Sequence, residues 1–166
     1  DGLRMLPFLQ GERVPPLPAA AGTLEGMRAG WLDPGRLYRA ALEACVANLR
    51  VGSERLEALG VPIKSLRLVG GAAVNPIWRS CIANAFDCDV ELVAETEAAA
   101  LGAALQALWT YRRQADGDAS ITELAAPYLE VTASEEPDAG SAAAWRDLLA
   151  DSAKSVDFVP DTSEAC

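Results

Sequence analysis

Hydrophobic and polar positions along this chain switch between a helical and an extended period, and the switches mark its elements. The longest helical pattern opens at Asp33-Pro34, a capping residue followed by proline at the first helical position. It runs to about Leu59 and meets a stop at Gly60. Tyr38, Leu42, Cys45, Leu49, Gly52, Leu56 and Leu59 recur at alternate spacings of four and three. That spacing predicts one continuous buried stripe, and Gly52 within it predicts close approach by another element. Glu43 beside the stripe reads as solvated or ion-paired.

Val61-Pro62 then breaks the chain, and Ser65-Leu-Arg-Leu-Val69 reads as a strand running into Gly70-Gly71. A second helix begins near Asn75-Pro76, with Trp78, Cys81, Ile82, Ala85 and Phe86 on one face. Asp87 and Cys88 turn the chain into a second strand, Asp89 to Val93. Glu95-Thr96-Glu97 starts a third helix, whose Leu101, Ala104, Leu105 and Leu108 form one face. Its early small residues, Ala98, Ala99, Ala100, Gly102 and Ala103, permit close packing. Helix, strand, helix, strand, helix is an α/β order and implies at least one parallel strand pair.

The flanks are less regular. Leu3 to Leu9 and Thr23 to Met27 read as short extended pieces, with an irregular loop from Gly11 to Pro16 between them. Glu12 and Arg13 in that loop read as solvated or locally paired, with a functional role as the alternative. From Gln114 onward a short helix is expected within Thr122–Leu129 and a loop over Ser134–Gly140. An amphipathic helix carrying Trp145, Leu148 and Leu149 is expected over Ser141–Lys154, followed by a frayed tail over residues 155–166.

A length of 166 residues that are 51% hydrophobic suits one domain with its own core. No apolar stretch is long enough to span a bilayer. No signal peptide is visible, and Asp1 is not a natural start, which leaves a preceding segment open. Residues 1–114 hold twelve basic and twelve acidic side chains, and residues 115–166 hold two basic and twelve acidic, so the tail carries the whole net charge of −10. An acidic tail argues against a nucleic acid or an anionic membrane surface as partner. The chain therefore divides into residues 1–114 and an acidic extension, residues 115–166.

Four cysteines, Cys45, Cys81, Cys88 and Cys166, form no CxxC pair, and there is no histidine. That leaves no zinc pattern and no Ser-His-Asp or Cys-His catalysis in this chain. Cys45 and Cys81 fall on apolar helix faces and read as core thiols, which makes a reducing, cytoplasmic compartment the expectation.

The turn after the first long strand is where chemistry can sit. Gly70 and Gly71 let backbone approach a ligand with no Cβ in the way, and Ala72 and Ala73 extend the same small surface. The helix that follows offers unpaired backbone N–H groups and a positive dipole end. Such a turn suits a nucleotide; an ordinary tight βα turn is the alternative. GxGxxG is absent, and so is GxxxxGK[ST], because the only lysines are Lys64 and Lys154. Asn75 has the commonest role for its type here, the cap of the second helix.

Four stretches together resemble one family. They are LPFLQGERVP at 6–15, GTLEGM at 22–27 with LYRAALE at 37–43, SLRLVGGAAVNPIWRSCIAN at 65–84, and ETEAAALGAALQA at 95–107. The chain resembles the C-terminal part of an FGGY-family carbohydrate kinase, and within that family the xylulokinase type. One position departs: Arg36 stands where the second signature usually has an acidic, amide or His residue.

The resemblance implies an α/β fold, the second lobe of an actin-like (RNase H-like) ATPase, with a mixed sheet flanked by helices. It implies ATP and Mg²⁺ as cofactors and a small sugar as substrate, with phosphorylation of D-xylulose to D-xylulose 5-phosphate. Another ketose or polyol, such as ribulose or glycerol, is the nearest alternative. A nucleotide-binding module without catalysis is the other. By resemblance Gly71 lies against the nucleotide, Gly70 and Ala72 shape the turn, and Asn75 contacts the adenosine part. The family's phosphate loops, sugar-binding residues and catalytic aspartate all precede the matched segment. No catalytic residue or metal ligand is therefore assigned in this chain, and these residues alone are expected to be inactive. A homodimer is left open.

Overall fold

A single glycine lets the first hairpin of the N-terminal segment close. In the computed structural model, which describes residues 2–13, 16–94, 97–117 and 120–156, strand β1 (Arg4–Leu6) pairs antiparallel with β2 (Thr23–Glu25). Arg4 stands opposite Glu25 and Leu6 opposite Thr23. Gly26 has a φ of +74°, and a Cβ there would collide with the carbonyl oxygen of Gly2, so the hairpin closes only with glycine at this position. Leu6, Phe8 and Ala20 form a small buried cluster with Leu17 against it. Glu12 is locally paired: its carboxylate accepts from the Arg13 amide (2.6 Å) and from Asn48 Nδ2 (3.1 Å).

Helix α1 (Pro34–Ala58) starts as the Asp33-Pro34 pair predicts. The Asp33 carboxylate accepts from the Arg36 amide at 3.1 Å. Gly60, at φ +83°, follows the helix end. Its buried face, however, is the reverse of the expected one. Ala40, Ala44, Val46, Ala47 and Ser53 are buried. Tyr38, Leu49, Leu56 and Leu59 are exposed, as is Cys45, and nothing lies within 4 Å of a Cβ placed at Gly52. Ala40, Ala44 and Ala47 carry the same four-three spacing two positions along, which is about 200° round the helix. Small side chains bring α1 close to β1, with which it packs. Glu43 is ion-paired with Arg39.

The chain separates into two compact units. The first comprises residues 1–63, 84–87 and 138 onward, so it holds the hairpin, α1 and helix α5 (Ala139–Val156). Ala142 and Trp145 are buried on α5. The loop before α5 is tied down by the buried Asn84, whose Oδ1 accepts from the Asp138 amide at 2.7 Å.

The second unit comprises residues 64–83 and 88–137. Its sheet has the order β3-β4-β5. Strand β3 (Ser65–Leu68) runs parallel to β4 (Asp89–Val93), with Ser65 opposite Asp89 and Leu68 opposite Leu92. Helix α2 (Pro76–Phe86) makes the crossover between them, as the α/β order predicts. Strand β5 (Val131–Glu135) runs antiparallel to β4, so the sheet is mixed. β5 falls partly where a loop over Ser134–Gly140 was expected. Its first four residues are all exposed, so no in-out alternation marks it. Helices α3 (Ala98–Asp116) and α4 (Ile121–Ala125) complete the unit, with a 3₁₀ turn at Ala126–Tyr128. On α3 Leu105 is buried, but Ala104 and Leu108 are exposed. The expected start of α3 at Glu95-Thr96 and the tail beyond residue 156 lie outside the described residues.

Val90 and Cys81 are the largest fully buried side chains of the second unit, and Ile82, Cys88 and Leu105 are also buried. Arg67 and Glu91, opposite one another in the parallel register, form an ion pair at 2.7 Å. Both are partly solvated, so the pair adds about 0–1 kcal/mol.

Candidate functional site

The turn between β3 and α2 has a backbone of three parts. Gly70 leaves the strand at φ +83° and ψ 179°, a region that only glycine enters without strain. Gly71–Val74 then form a 3₁₀ turn, closed by the Ala73 amide donating to the Gly70 carbonyl (3.1 Å) and the Asn75 amide to the Ala72 carbonyl (3.1 Å). Asn75 is extended (φ −81°, ψ 113°) and caps α2. Its Oδ1 accepts from the amides of Ile77 (2.9 Å) and Trp78 (3.4 Å). Two of the donors that a helix start leaves open are thus satisfied by one side chain.

Two features of this turn suit a ligand. The N–H groups of Gly71 and Ala72 precede the first closing bond of the turn, where a helical start leaves its donors without intrahelical partners. Gly71 and Ala72 are exposed. A Cβ added at Gly71 would meet nothing within 4 Å, and its φ is not positive. The protein itself leaves open space there.

The structure thus brings Gly70, Gly71, Ala72 and Asn75 together within one six-residue turn at the C-terminal end of a parallel strand. In open α/β sheets, ligands bind outside the carboxyl ends of the strands. Arg79, which the sequence pattern did not single out, also belongs to the turn. Its Nη1 donates to the carbonyls of Ala73 (3.1 Å) and Val74 (3.5 Å), and its Nε to Glu135 Oε2 (3.3 Å). The usable signal was its position, four residues after the cap, from which a long side chain reaches back over the first helical turn.

The chain matches the model of the FGGY family of carbohydrate kinases, C-terminal domain, over residues 1–111. This chain belongs to the FGGY family of carbohydrate kinases. Among relatives of this FGGY chain, the xylulose kinase of Haemophilus influenzae is 34% identical over 131 residues, covering 79% of this chain and 26% of that protein. The gluconokinase of Bacillus licheniformis is 28% identical over 151 residues, covering 90% of this chain and 28% of that protein. The crystal structure of xylulose kinase from Rhodospirillum rubrum superposes with a TM-score of 0.74 at 26% identity, over 91% of this chain and 29% of that one. The fold is therefore that of the actin-like ATPases, as the sequence led us to expect. The FGGY chain spans about a quarter of the length of the curated relatives it matches.

The first unit holds a cavity of about 540 Å³ between β1, α1 and α5. Its walls are largely apolar, including Leu6, Phe8, Val51 and Leu149, and none of the four turn residues lines it. Among its polar groups Asn48 is bonded to Glu12, and Arg50 to Ser53 and Glu57. Among the described residues no group of three or more His, Cys, Asp or Glu side chains is placed to hold a metal ion. The described residues thus do not fit a Mg²⁺ site. No helix among the described residues is long and apolar enough to cross a membrane.

Proposed function

We propose that this chain is the nucleotide-side portion of an ATP-dependent sugar kinase, and that the whole protein phosphorylates D-xylulose at its terminal hydroxyl. The observation that carries this reading is the open, small-residue turn at Gly70–Asn75, found where the family resemblance puts an adenosine contact. Gly71 would let the nucleotide lie directly on the backbone, with Gly70 and Ala72 giving the turn its shape. Asn75 would add a polar contact to its capping role.

In the proposed reaction the terminal hydroxyl oxygen of the sugar bonds to the γ-phosphorus, the bond to the bridging oxygen breaks, and ADP leaves with that electron pair. The hydroxyl proton passes to the family's aspartate, which precedes this chain. The contribution of this chain is position: holding the adenosine end fixes where the phosphates reach. Mg²⁺ accompanies ATP in this reading, with its ligands outside these residues.

The similarity to a gluconokinase supports a second reading in which the same fold serves another sugar. A coupled ADP-release assay on the full-length protein separates the two, using D-xylulose, L-ribulose, gluconate and glycerol. Preference for D-xylulose supports the first reading; preference for another member keeps the nucleotide site and moves the specificity. ATP binding without turnover on any of them favours a non-catalytic module. A homodimer and a cytoplasmic location complete the proposal, the former read by sedimentation of the full-length protein.

A further inference from the structure

The guanidinium of Arg79 reaches Glu135, 56 residues further along the chain, and ties it to the turn. On one side it donates to the carbonyls of Ala73 and Val74, at the C-terminal end of the 3₁₀ turn. Carbonyls there lack intrahelical partners and carry the negative end of the local dipole, so a cation suits them. On the other side it donates to Glu135, the last residue of β5, whose register partner on the central strand is Val90. Arg79 and Glu135 are only 25% and 30% exposed, so the pair is partly shielded from solvent. β5 lies beyond residue 111, where the family match ends.

We propose that Arg79 and Glu135 are a positioning pair that holds the Gly70–Asn75 turn in its nucleotide-binding shape. The inference rests on the nucleotide reading of that turn. Neither side chain touches the nucleotide; both act through the backbone of Ala73 and Val74. Glu135 fixes the direction of the guanidinium, and the guanidinium fixes the two carbonyls. A planar fork with donors pointing two ways is required, which lysine lacks. The strand at Val131–Glu135 thereby becomes part of the site.

The test uses the full-length kinase, titrated with ADP and assayed for ATP and sugar dependence. Glu135→Ala is expected to raise the Kd for ADP and the KM for ATP by roughly threefold to tenfold. The sugar KM and the melting temperature stay unchanged, because an ion pair that keeps a quarter to a third of its exposure adds little to global stability. Glu135→Gln, which still accepts from Arg79, restores most of the affinity. Arg79→Lys behaves like Arg79→Ala, and adding Glu135→Ala to Arg79→Ala costs nothing further. If Arg79→Ala does not fold, the two Glu135 variants carry the test. Unchanged ADP affinity in Glu135→Ala, or a joint rise of both KM values with a fall in melting temperature, overturns the pair. Gly71→Val serves as the control. If it weakens ADP while Glu135→Ala does not, the pair fails and the nucleotide site stands; if neither does, the nucleotide reading itself falls.

Discussion

Gly70 and Gly71 are neighbours in the chain, yet only Gly70 holds a backbone conformation that a side chain would strain. Gly70 sits at φ +83° and ψ 179°, whereas Gly71 has no positive φ and open space where a Cβ would go. Gly70→Ala is therefore expected to destabilise the protein by about 1–3 kcal/mol. Gly71→Ala is expected to change stability by less than about 0.5 kcal/mol. Denaturant unfolding of the two variants checks this. In the full-length kinase Gly71→Val should raise the KM for ATP at least about tenfold with the melting temperature retained, because branched carbon then occupies the space proposed for the nucleotide.

Asn75 combines two roles that substitution can separate. Asn75→Ala removes the acceptor for the Ile77 and Trp78 amides and is expected to cost about 0.5–2 kcal/mol. Asn75→Asp keeps the cap and puts a negative charge at the positive end of α2, so stability is retained. The same charge would repel a polyphosphate, and ADP affinity should fall. A thermal melt and an ADP titration on each variant give the two readings.

Asp138 predicts an acid dependence. The Ser141 amide and then its hydroxyl hold its carboxyl below the ordinary value of 3.8; lost hydration opposes them, and the Gly140 amide adds a lesser lowering. The folded pKa is thus lower than the unfolded one. The stabilisation is present above the unfolded pKa and is lost as pH falls through the folded pKa. Asp138→Asn keeps the capping geometry toward Ser141 without a titrating group. Helicity followed from neutral pH to below 3.8 should fall less steeply in the variant than in the parent.

The two faces of α1 should answer differently to substitution. Leu49 and Leu56 are 52% and 49% exposed, so Leu49→Ala and Leu56→Ala in this chain should each shift stability by less than about 0.5 kcal/mol. Val46 is 0% exposed, and Val46→Ala should cost about 1–3 kcal/mol through lost burial and the cavity left behind. Urea midpoints for the three variants decide it.

What the residues revealed in advance follows from how local each determinant is. The Asp33-Pro34 start, the Asn75-Pro76 start and the strand Asp89–Val93 depend on neighbours in sequence, and all three form as read. The buried side of α1 does not, because two stripes share one spacing, and packing against β1 selects the alanines over the leucines. Cys45 went with the losing stripe, while Cys81 is buried as expected. β5 was invisible because its pairing with β4 is long-range and its side chains face solvent. The turn at Gly70–Asn75 was legible from its glycines and its proline. Arg79 was not, because its second partner, Glu135, comes from that unread strand.

The position of β4 has a consequence for trimming the polypeptide. It is the central strand, hydrogen-bonded to β3 on one side and to β5 on the other. A protein cut after residue 111 would keep the whole family match and lose β5. The outer edge of β4 would then present a row of unpaired amides and carbonyls, a template for association with another sheet. The late strand thus covers the edge of the central strand, and the shortest stretch recognisable as this family is shorter than the stretch that completes the three-stranded sheet.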